Sequence, residues 1–508
     1  MKLPKPKFAE AGPGAGKTHA MVDEIVAALQ ILPSHRFLAA VTYTNAAANT
    51  IRDRLSERVP RVRSNVFIGT IHSFVNRFVL MPCAELLTLL PEDRMYVAIN
   101  PYDKVGPKGA AAYEKNLINK GIVPYSSMIP KARQVLETLG IRDLICGRIA
   151  YLFVDEFQDT DIGMFEVFEH FRKAEKTRLY VVGDSEQYVM SFGYRGQKPP
   201  AFDKIPFFRF KNQADVHQII ENHRSNGEIV TFANQFREDV QQIPVKPYRG
   251  KSRVLFIHAT TLEEILQRYQ VLSENVEIEG EQRTRLYLSE ENATFDSVRG
   301  QFKLTPISND GRKANTLLGE ALDLLSLALD RNQRRICEEF GLSRLQLRTV
   351  GVRLLRDLRA GQFGIEQLKV LVVDVFGHKV SNSRIDLIED RLCSLSAEPG
   401  GGKLAQTAEW YSSIRKAKGL QADAVLVVAK SLTELKKWLQ TEHSFRVADK
   451  QDKCRLGYVA FTRPREMLCI ACITELDSEL IQMLQSLGVL IVTGGDARDE
   501  KVSGVISV

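Results

Sequence analysis

The sequence predicts an α/β fold in which parallel-sheet segments occur twice, each time interrupted by a mainly helical insertion. In the first half of the chain, apolar runs of strand length alternate with amphipathic stretches of helical spacing, which is typical of a parallel sheet covered by helices. From about residue 312 to 370 the spacing is helical without strand signals, and strand-like runs return after Gly400–Gly402. Together these observations predict two α/β parts.

Each predicted element follows from its apolar pattern. The predicted strands are Phe8–Ala11, Phe37–Thr42, Tyr151–Val154, Leu179–Val182, Ala424–Val428 and Met467–Ile473. The predicted helices of the first part are His19–Leu29 and Ala46–Arg58. The irregular stretch at about 76–146, with its turn-rich Asn100–Gly109, is predicted to be a largely helical insertion between strands. The tail Glu475–Val508 is predicted to form a helix, a strand and a loose end.

The composition is that of an ordinary globular protein. A chain of 508 residues with 44% hydrophobic and 26% charged residues excludes global disorder, and about two to four domains are expected. The net charge of +7 is compatible with a nucleic-acid partner but does not require one. No apolar run reaches the ~18–20 residues of a membrane span, so a cytoplasmic location without membrane contact is expected. Cys469 and Cys472 have CxxC spacing inside an apolar run and are predicted to be buried strand residues.

The segment Ala11–Thr18 has the pattern of a phosphate-binding loop, with Ala11 in place of the first glycine. Gly14 and Gly16 allow the backbone to curl so that its N–H groups face a phosphate, Lys17 supplies a charge to the β- and γ-phosphates, and Thr18 supplies a hydroxyl to Mg²⁺. A glycine-rich turn without a ligand would not explain the Lys-Thr pair in register. The predicted nucleotide-binding residues are Gly12, Pro13, Gly14, Ala15, Gly16, Lys17, Thr18 and His19, which precedes a helix whose N-terminus favours an anion.

A second acidic motif, Leu152–Thr160, is an apolar strand that ends in adjacent carboxylates. Asp155 is predicted to hold Mg²⁺ together with Thr18, and Glu156 to orient and deprotonate the water that attacks the γ-phosphate. A helix-capping aspartate would not explain two acids, a glutamine and a further aspartate after one strand. The two motifs together predict hydrolysis of a nucleoside triphosphate rather than binding alone.

The chain resembles the superfamily 1 DNA helicases of the UvrD, Rep and PcrA type. Beside the two motifs above, six segments resemble motifs of that family in the family's order: Ala39–Ala48, Ile68–Phe74, Val182–Gln187, Glu221–Asn226, Ser413–Gln421 and Arg455–Arg463. The resemblance implies that Gln187 senses the γ-phosphate, and that Arg224 and Arg463 reach it as arginine fingers because a planar guanidinium stabilises the developing charge. It also implies that Gly419 and Gln421 lie at the nucleotide, with ATP and Mg²⁺ as the ligands.

The resemblance implies two RecA-like P-loop lobes with parallel sheets, which face each other across ATP. The implied boundaries are 1–75 and 147–210 for the first lobe, 76–146 for its insertion, 211–310 and 400–508 for the second lobe, and 311–399 for its insertion. Both insertions are short for the family, which predicts weak unwinding by the chain alone and dependence on a protein partner.

The resemblance further implies 3′→5′ movement along single-stranded DNA, although the residues leave RNA open as the track. Tyr43 and Phe192 lie where the family stacks bases on aromatic rings, an interaction that tolerates any sequence. The other candidate DNA contacts are Thr44, Thr70, His72 and Arg415, the last of which stands where the family has histidine.

Departures from the family's pattern concern nucleoside recognition. No glutamine precedes the phosphate loop, His223 stands where the family stacks tyrosine on adenine, and Gln421 replaces a glutamate near the ribose. We therefore predict weak discrimination among nucleoside triphosphates.

Three functions remain open from the sequence. The first is a DNA-dependent ATPase and 3′→5′ translocase or helicase in DNA repair. The second is the helicase-like subunit of an anti-phage defence system such as Gabija, which would work with a partner nuclease of the OLD family and sense DNA ends or nucleotides. The third is a nucleotide-gated DNA-binding scaffold.

Overall fold

The computed structural model contains two compact units, one formed by Met1–Thr305 with Glu409–Val508 and the other by Pro306–Ala408. The described residues are 3–59, 62–83, 96–98, 112–113, 122–190, 200–247, 253–274, 276, 283–307, 317–331, 333–342, 344–359, 363–380, 385, 388–389, 392 and 407–492.

Strands and helices alternate along most of this chain. Within the described residues the strands are β1 (Lys7–Ala11), β2 (Phe37–Thr42), β3 (Val66–Thr70), β4 (Tyr96–Ala98), β5 (Ile122–Pro124), β6 (Ile149–Val154), β7 (Arg178–Gly183), β8 (Asp215–Ile219), β9 (Glu221–Asn222), β10 (Ile243–Pro244), β11 (Val254–His258), β12 (Arg283–Ser289), β13 (Thr305–Pro306), β14 (Thr407–Ser413), β15 (Ala422–Ala429), β16 (Pro464–Cys472) and β17 (Leu490–Val492). The α-helices in the same ranges are α1 (Lys17–Gln30), α2 (Asn45–Arg58), α3 (Ile71–Val75), α4 (Met128–Glu137), α5 (Leu139–Arg148), α6 (Ile162–Lys173), α7 (Pro206–Lys211), α8 (Gly227–Asn234), α9 (Leu262–Ser273), α10 (Leu317–Leu329), α11 (Gln333–Glu339), α12 (Arg344–Arg359), α13 (Ile365–Phe376), α14 (Leu432–Trp438), α15 (His443–Ala448), α16 (Lys453–Phe461) and α17 (Ser478–Ser486).

The first lobe is built on a parallel sheet with the strand order β3-β2-β6-β7-β1-β8. Because side chains alternate between the faces of a strand, Phe8 and Val41 belong to one core cluster, and Ala9 and Ala40 to the cluster on the other face. The helices α4 and α5 contribute to the first of these clusters, through residues such as Met128. Since parallel strands share one carboxyl edge, the loops after β6, β7 and β1, which are neighbours in the sheet, meet at the same place.

The second lobe is built on a sheet with the order β13-β14-β12-β15-β16-β11-β17. Its central pairs β12/β15, β15/β16, β16/β11 and β11/β17 are parallel. Every residue of β15 is buried, as expected of a strand covered on both faces. Its near-continuous apolar sequence is the pattern from which the sequence predicts a strand here. The predicted α/β fold with parallel sheets in two lobes is confirmed.

The predicted element bounds agree with the structure to within a few residues. The strand predicted at Tyr151–Val154 begins at Ile149, and the strand predicted to end at Ile473 ends at Cys472. The predicted tail helix and strand are α17 and β17, and residues 493–508 lie outside the described residues, as do the turn-rich 100–109 and the glycines 400–402. Cys469 and Cys472 are buried in β16, as predicted.

The unit Pro306–Ala408 is helical in its described residues and contains α10, α11, α12 and α13. Its own core is formed by leucines at helical spacing, among them Leu324, Leu325 and Leu354, so the helical character predicted for 312–370 is confirmed in those residues. No helix in the described ranges of the chain is long and apolar enough to span a membrane.

A close helix contact in the second lobe gives a test of the packing. A Cβ added at Gly457 in α16 would lie 2.6 Å from the Cβ and 2.7 Å from the backbone oxygen of Trp438 in α14. We expect Gly457→Ala to destabilise the protein by about 1–3 kcal/mol, because backbone cannot move away as a flexible side chain can. Thermal melting followed by circular dichroism measures the effect.

Gly147→Ala is the matched control, since a Cβ at Gly147 in α5 has no heavy atom within 4 Å. That variant should melt at or slightly above the wild-type temperature. A Gly457→Ala protein as stable as the wild type would contradict the packing described here.

Candidate active site

The phosphate loop joins β1 to α1 and adopts the curled backbone that its glycines predict. Gly14 and Gly16 have φ angles of 76° and 75°, in the left-handed region that glycine enters without strain. A Cβ at Gly14 would lie 2.7 Å from the Cβ of Arg224 and 2.8 Å from Oδ1 of Asn222. The loop is therefore packed directly against the segment that follows β9, and only glycine fits there.

Lys17, Thr18 and Asp155 lie together at the carboxyl edge of the first sheet. Thr18 Oγ1 is 3.5 Å from Asp155 Oδ2, and Lys17 Nζ is 3.5 Å from the carbonyl of Ala11. Burial and the neighbouring Glu156 raise the pKa of Asp155 to about 7, although Lys17 acts in the opposite direction. A hydroxyl and a buried carboxylate oxygen facing each other are the hard oxygen ligands that Mg²⁺ prefers, so these residues fit the ion.

Glu156 follows Asp155 in a backbone conformation that is unusual for a residue with a side chain, with φ 51° and ψ 45°. Its carboxylate accepts a hydrogen bond of 2.6 Å from Gln158 Nε2. Burial alone would raise the pKa of Glu156, but the charges of Lys17, Lys418 and Arg463 and the Gln158 hydrogen bond lower it to about 2. Glu156 is therefore ionised and can accept a hydrogen bond from water.

Gln187 lies in a short helix that follows β7, where its side chain is held at both ends. Its Nε2 donates to Asp184 Oδ2 at 2.8 Å, and its Oε1 accepts from Arg463 Nη2 at 3.3 Å. The backbone N–H of Asp184 donates in turn to Gln158 Oε1 at 3.0 Å. The acidic motif Leu152–Thr160 and the motif Val182–Gln187 are thus connected by hydrogen bonds.

Arg463 and Arg224 enter the cleft from the second lobe. Arg463 Nε donates to the carbonyl of Val459 at 2.7 Å, and Arg224 Nη1 to the carbonyl of Thr462 at 3.0 Å. Within the described part of the chain, Arg224 Nε is buried without a hydrogen-bond partner and neither guanidinium pairs with a carboxylate.

Burial and the charge of Arg463 lower the pKa of Arg224 to about 9, and burial lowers the pKa of Arg463 to about 10. Both shifts mean that two positive charges are desolvated without a fully compensating anion. An anionic ligand between the lobes would supply that compensation.

Lys418 is a functional candidate that was missing from the predicted site. It lies in the turn between β14 and β15, and its Nζ donates to Asp159 Oδ1 at 2.5 Å and to the carbonyl of Gln187 at 3.1 Å. The sequence signal that would have found Lys418 is its position next to Gly419 in the Ser413–Gln421 motif, whereas its contact with Asp159 is seen only in the structure.

Six consecutive residues after β7, Asp184–Val189, each contact a side chain of the second lobe, and we call them the docking segment. In chain order their contacts are Asp184 with Arg237 (3.3 Å), Ser185 Oγ with Asp239 Oδ2 (2.8 Å), Glu186 with Arg446, Gln187 with Arg463 (3.3 Å), the carbonyl of Tyr188 with Arg455 Nε (3.1 Å) and the carbonyl of Val189 with Arg415 Nη1 (2.6 Å). The segment that carries Gln187 is thus held almost entirely by cations from the other lobe.

The residues predicted at the nucleoside are more exposed. His223 is anchored to the phosphate loop by its backbone N–H, which donates to the carbonyl of Gly14 at 3.0 Å, and its ring is 3.1 Å from Glu221. Burial and the charge of Arg58 lower the pKa of His19. Gly419 has a left-handed φ of 85°, and Gln421 is exposed.

The candidate DNA contacts that the structure describes have local structural roles. Thr44 and Thr70 are the N-caps of α2 and α3, and each accepts a backbone hydrogen bond through its hydroxyl. The hydroxyl of Tyr43 is hydrogen-bonded to Thr160, and its ring packs on the first core. None of the hydrogen bonds described for these three side chains connects them to one another. Their role as DNA contacts stays a prediction.

His72 makes the one ring stack described among the candidate DNA contacts. Its ring lies on Tyr125, with centroids 3.8 Å apart, and Tyr125 is 42% exposed. Arg415 donates to the docking segment, and Phe192 lies outside the described residues.

Comparison with known proteins finds similarity over parts of the chain. A family model described as an AAA domain matches residues 4–193. The Gabija protein GajB of Bacillus cereus (strain VD045) is 28% identical over 248 residues, which cover 46% of this chain and 47% of that protein.

Two helicases are also similar. The ATP-dependent DNA helicase PcrA of Bacillus subtilis is 22% identical over 308 residues (48% of this chain, 41% of PcrA), and the DNA helicase II of Escherichia coli is 23% identical over 279 residues (45% and 38%). The chain spans less than half the length of each of these curated relatives. These similarities, with the P-loop site between two parallel sheets, support a likeness of this chain to the UvrD-like superfamily 1 helicases.

Proposed function

We propose that the chain is a nucleic-acid-dependent ATPase whose hydrolysis drives 3′→5′ movement along single-stranded DNA. The observation that supports it best is the 3.3 Å hydrogen bond between Arg463 of the second lobe and Gln187 of the first. It brings a cation from one sheet to the edge of the other, where Lys17, Thr18, Asp155 and Glu156 lie. Charge from both lobes therefore converges where a triphosphate would develop charge during transfer.

The residues divide the chemistry among them. The phosphate loop and Lys17 bind the triphosphate, while Glu156 orients a water molecule and takes its proton as the water attacks the γ-phosphorus. Thr18 and Asp155 would hold Mg²⁺, which when bound neutralises charge on the β- and γ-phosphate oxygens. Arg463 and Arg224 stabilise the transferring phosphoryl group. Gln187 senses the γ-phosphate and is hydrogen-bonded to Arg463. Because the arginines belong to the second lobe, hydrolysis and lobe docking depend on one another.

We assign the lobes and insertions by the same reasoning. The first lobe would comprise 1–75 and 147–210 together with β8, which pairs with β1 in its sheet. The second lobe would comprise the rest of 211–310 and 400–508, and the insertions 76–146 and 311–399. The separate helical unit Pro306–Ala408 supports the second insertion. Nucleic acid would cross the lobes near Tyr43, Thr44, Thr70, His72 and Phe192.

The polarity of movement follows only from the family and needs its own test. We expect the protein to displace streptavidin from the 5′ end of a biotinylated single strand in the presence of ATP, and not from the 3′ end, because a 3′→5′ motor runs towards the 5′ end. Displacement from the 3′ end alone would contradict the proposed direction, and an RNA strand in the same assay decides the track.

Glu156→Gln tests the proposed general base. The amide keeps the shape of the side chain but cannot accept a proton, so kcat for ATP hydrolysis with single-stranded DNA should fall by about 10²–10⁴-fold. Nucleotide binding, measured with a fluorescent ATP analogue, should remain.

Glu169→Gln is the matched control, since Glu169 is a buried glutamate of the same lobe that pairs with Arg172. Its kcat should equal that of the wild type. Normal turnover by Glu156→Gln would refute the role of Glu156, and a wild-type protein without hydrolysis under any nucleotide condition would favour the nucleotide-gated scaffold.

The nucleoside end of the site predicts weak base selectivity. Gln421 is exposed and the exposed His223 ring lies beside Glu221, so neither residue provides a buried hydrogen-bonding group that would reject a wrong base. We expect kcat/KM for ATP, GTP, CTP and UTP to agree within about tenfold, a difference of about 1.4 kcal/mol. A strict preference for ATP in steady-state hydrolysis would overturn this expectation.

A second candidate function is that of a helicase-like subunit in an anti-phage defence complex. The similarity to the Gabija protein GajB favours it. In this role the motor would sense DNA ends or nucleotides and act with a partner nuclease, for which we propose the OLD family. Co-expression with a neighbouring OLD-type nuclease gene, followed by size-exclusion chromatography, tests the partnership. The absence of such a gene from the genomic neighbourhood would remove it.

A further inference from the structure

Arg237 is a fully buried cation in the cleft between the lobes, in the loop that follows α8. Its side chain is 0% exposed, as is that of Asp184, which lies opposite it at the start of the docking segment. A guanidinium is costly to bury, so its surroundings must pair all of its donors. Those surroundings belong to both lobes.

Each edge of the Arg237 guanidinium has a defined partner. Nη2 lies 3.3 Å from Asp184 Oδ1 and 2.8 Å from Asp239 Oδ1, while Nε lies 3.0 Å from the same oxygen of Asp239. Nη1 donates to the hydroxyl of Tyr458 at 2.7 Å. Burial would lower the pKa of Arg237, but Asp184, Tyr458 and Asp239 together raise it well above its usual value. Arg237 is therefore a permanent cation with fixed orientation.

Asp184 connects this cation to the predicted γ-phosphate sensor. Its Oδ1 faces Arg237, and its Oδ2 accepts from Gln187 Nε2 at 2.8 Å. The position of the Gln187 amide thus depends on the orientation of the Asp184 carboxylate, which Arg237 fixes. The partner Asp239 also accepts from Ser185 Oγ at 2.8 Å, so Arg237 and its partner hold two neighbouring residues of the docking segment.

The same guanidinium contacts the phosphate loop. A Cβ at Gly12 would lie 2.4 Å from Gln242 Cδ and 2.6 Å from Arg237 Nη1, so these two side chains together occupy the space beside this glycine of the loop. One side chain of the second lobe therefore lies against the phosphate loop on one side and against the anchor of Gln187 on the other.

We propose that Arg237 is a positioning residue for nucleotide hydrolysis, which holds Asp184, and through it Gln187, in register with the phosphate loop when the lobes are docked. The inference rests on the proposed ATPase function. Arg237 contacts neither the site of Lys17 nor that of Glu156 in the described hydrogen bonds, so it acts through Asp184 and not on the substrate. Its removal should lower the rate of hydrolysis more than it weakens nucleotide binding.

The first test is steady-state hydrolysis by Arg237→Gln in the full-length protein with single-stranded DNA. We expect kcat to fall by about tenfold to a hundredfold, with KM for ATP changed by less than about threefold, because the loss concerns alignment in the transition state. Arg237→Lys, which keeps the charge but cannot bridge Asp184, Asp239 and Tyr458 at once, should have an intermediate kcat.

A double-mutant cycle separates positioning from general damage. If Arg237 acts through Gln187, the double variant Arg237→Gln with Gln187→Ala should have the kcat of Gln187→Ala alone. Additive losses would overturn the proposal. If Arg237→Gln fails to fold, which its melting curve shows, Asp184→Asn replaces it in the same cycle, and additivity with Gln187→Ala again overturns the proposal.

Arg285→Gln is the matched control for removal of a buried arginine. Arg285 in β12 pairs with Glu409 at 2.7 Å and donates to Ser273 and Gln270, none of which belongs to the candidate site. Its melting temperature should fall while kcat, measured below the melting range, stays at the wild-type value. A folded Arg237→Gln with wild-type kcat refutes the positioning role and leaves the ATPase proposal intact, whereas a wild-type protein without hydrolysis refutes both.

Discussion

The arrangement of the lobes depends on cations of the second lobe that are buried against the docking segment of the first. Arg237, Arg446 and Arg455 each place a guanidinium where water is excluded, and each is paired with a carboxylate or backbone carbonyl of the segment. Such contacts add little net stability, because the cost of desolvation offsets the attraction. They do, however, define the relative position of the two sheets in this structure, and the candidate active site is assembled in that position.

The docked position explains why the proposed catalytic groups come from distant parts of the sequence. The phosphate loop, the acidic motif and the docking segment follow neighbouring parallel strands. The first sheet alone therefore brings them together at one edge. Arg463 comes from the turn before β16 of the second sheet, and Arg224 comes from the bend after β9, a short strand that pairs with β10.

Residues whose role depends on local backbone were predictable from the sequence, and residues whose role depends on distant partners were not. Gly14, Gly16, Lys17 and Thr18 are adjacent in the chain, and the spacing alone predicts what they do. Lys418 and Asp159 are 259 positions apart in the chain, so the local sequence around either residue does not predict that they form an ion pair. The same holds for strand bounds: β6 begins at Ile149 because it pairs there with Phe37, a contact that apolar spacing does not encode.

The phosphate loop is itself part of the lobe interface. The carbonyl of Pro13 accepts from Asn222 Nδ2 at 2.9 Å, and the carbonyl of Gly14 accepts from the N–H of His223 at 3.0 Å. Occupancy of the loop and closure of the cleft are therefore thermodynamically linked, and linkage is reciprocal. If a bound nucleotide stabilises or destabilises the closed cleft by some free energy, closure of the cleft changes the free energy of nucleotide binding by the same amount and in the same direction. A ligand that pulls the lobes apart, or one that holds them together, thereby becomes a regulator of nucleotide affinity without touching the nucleotide.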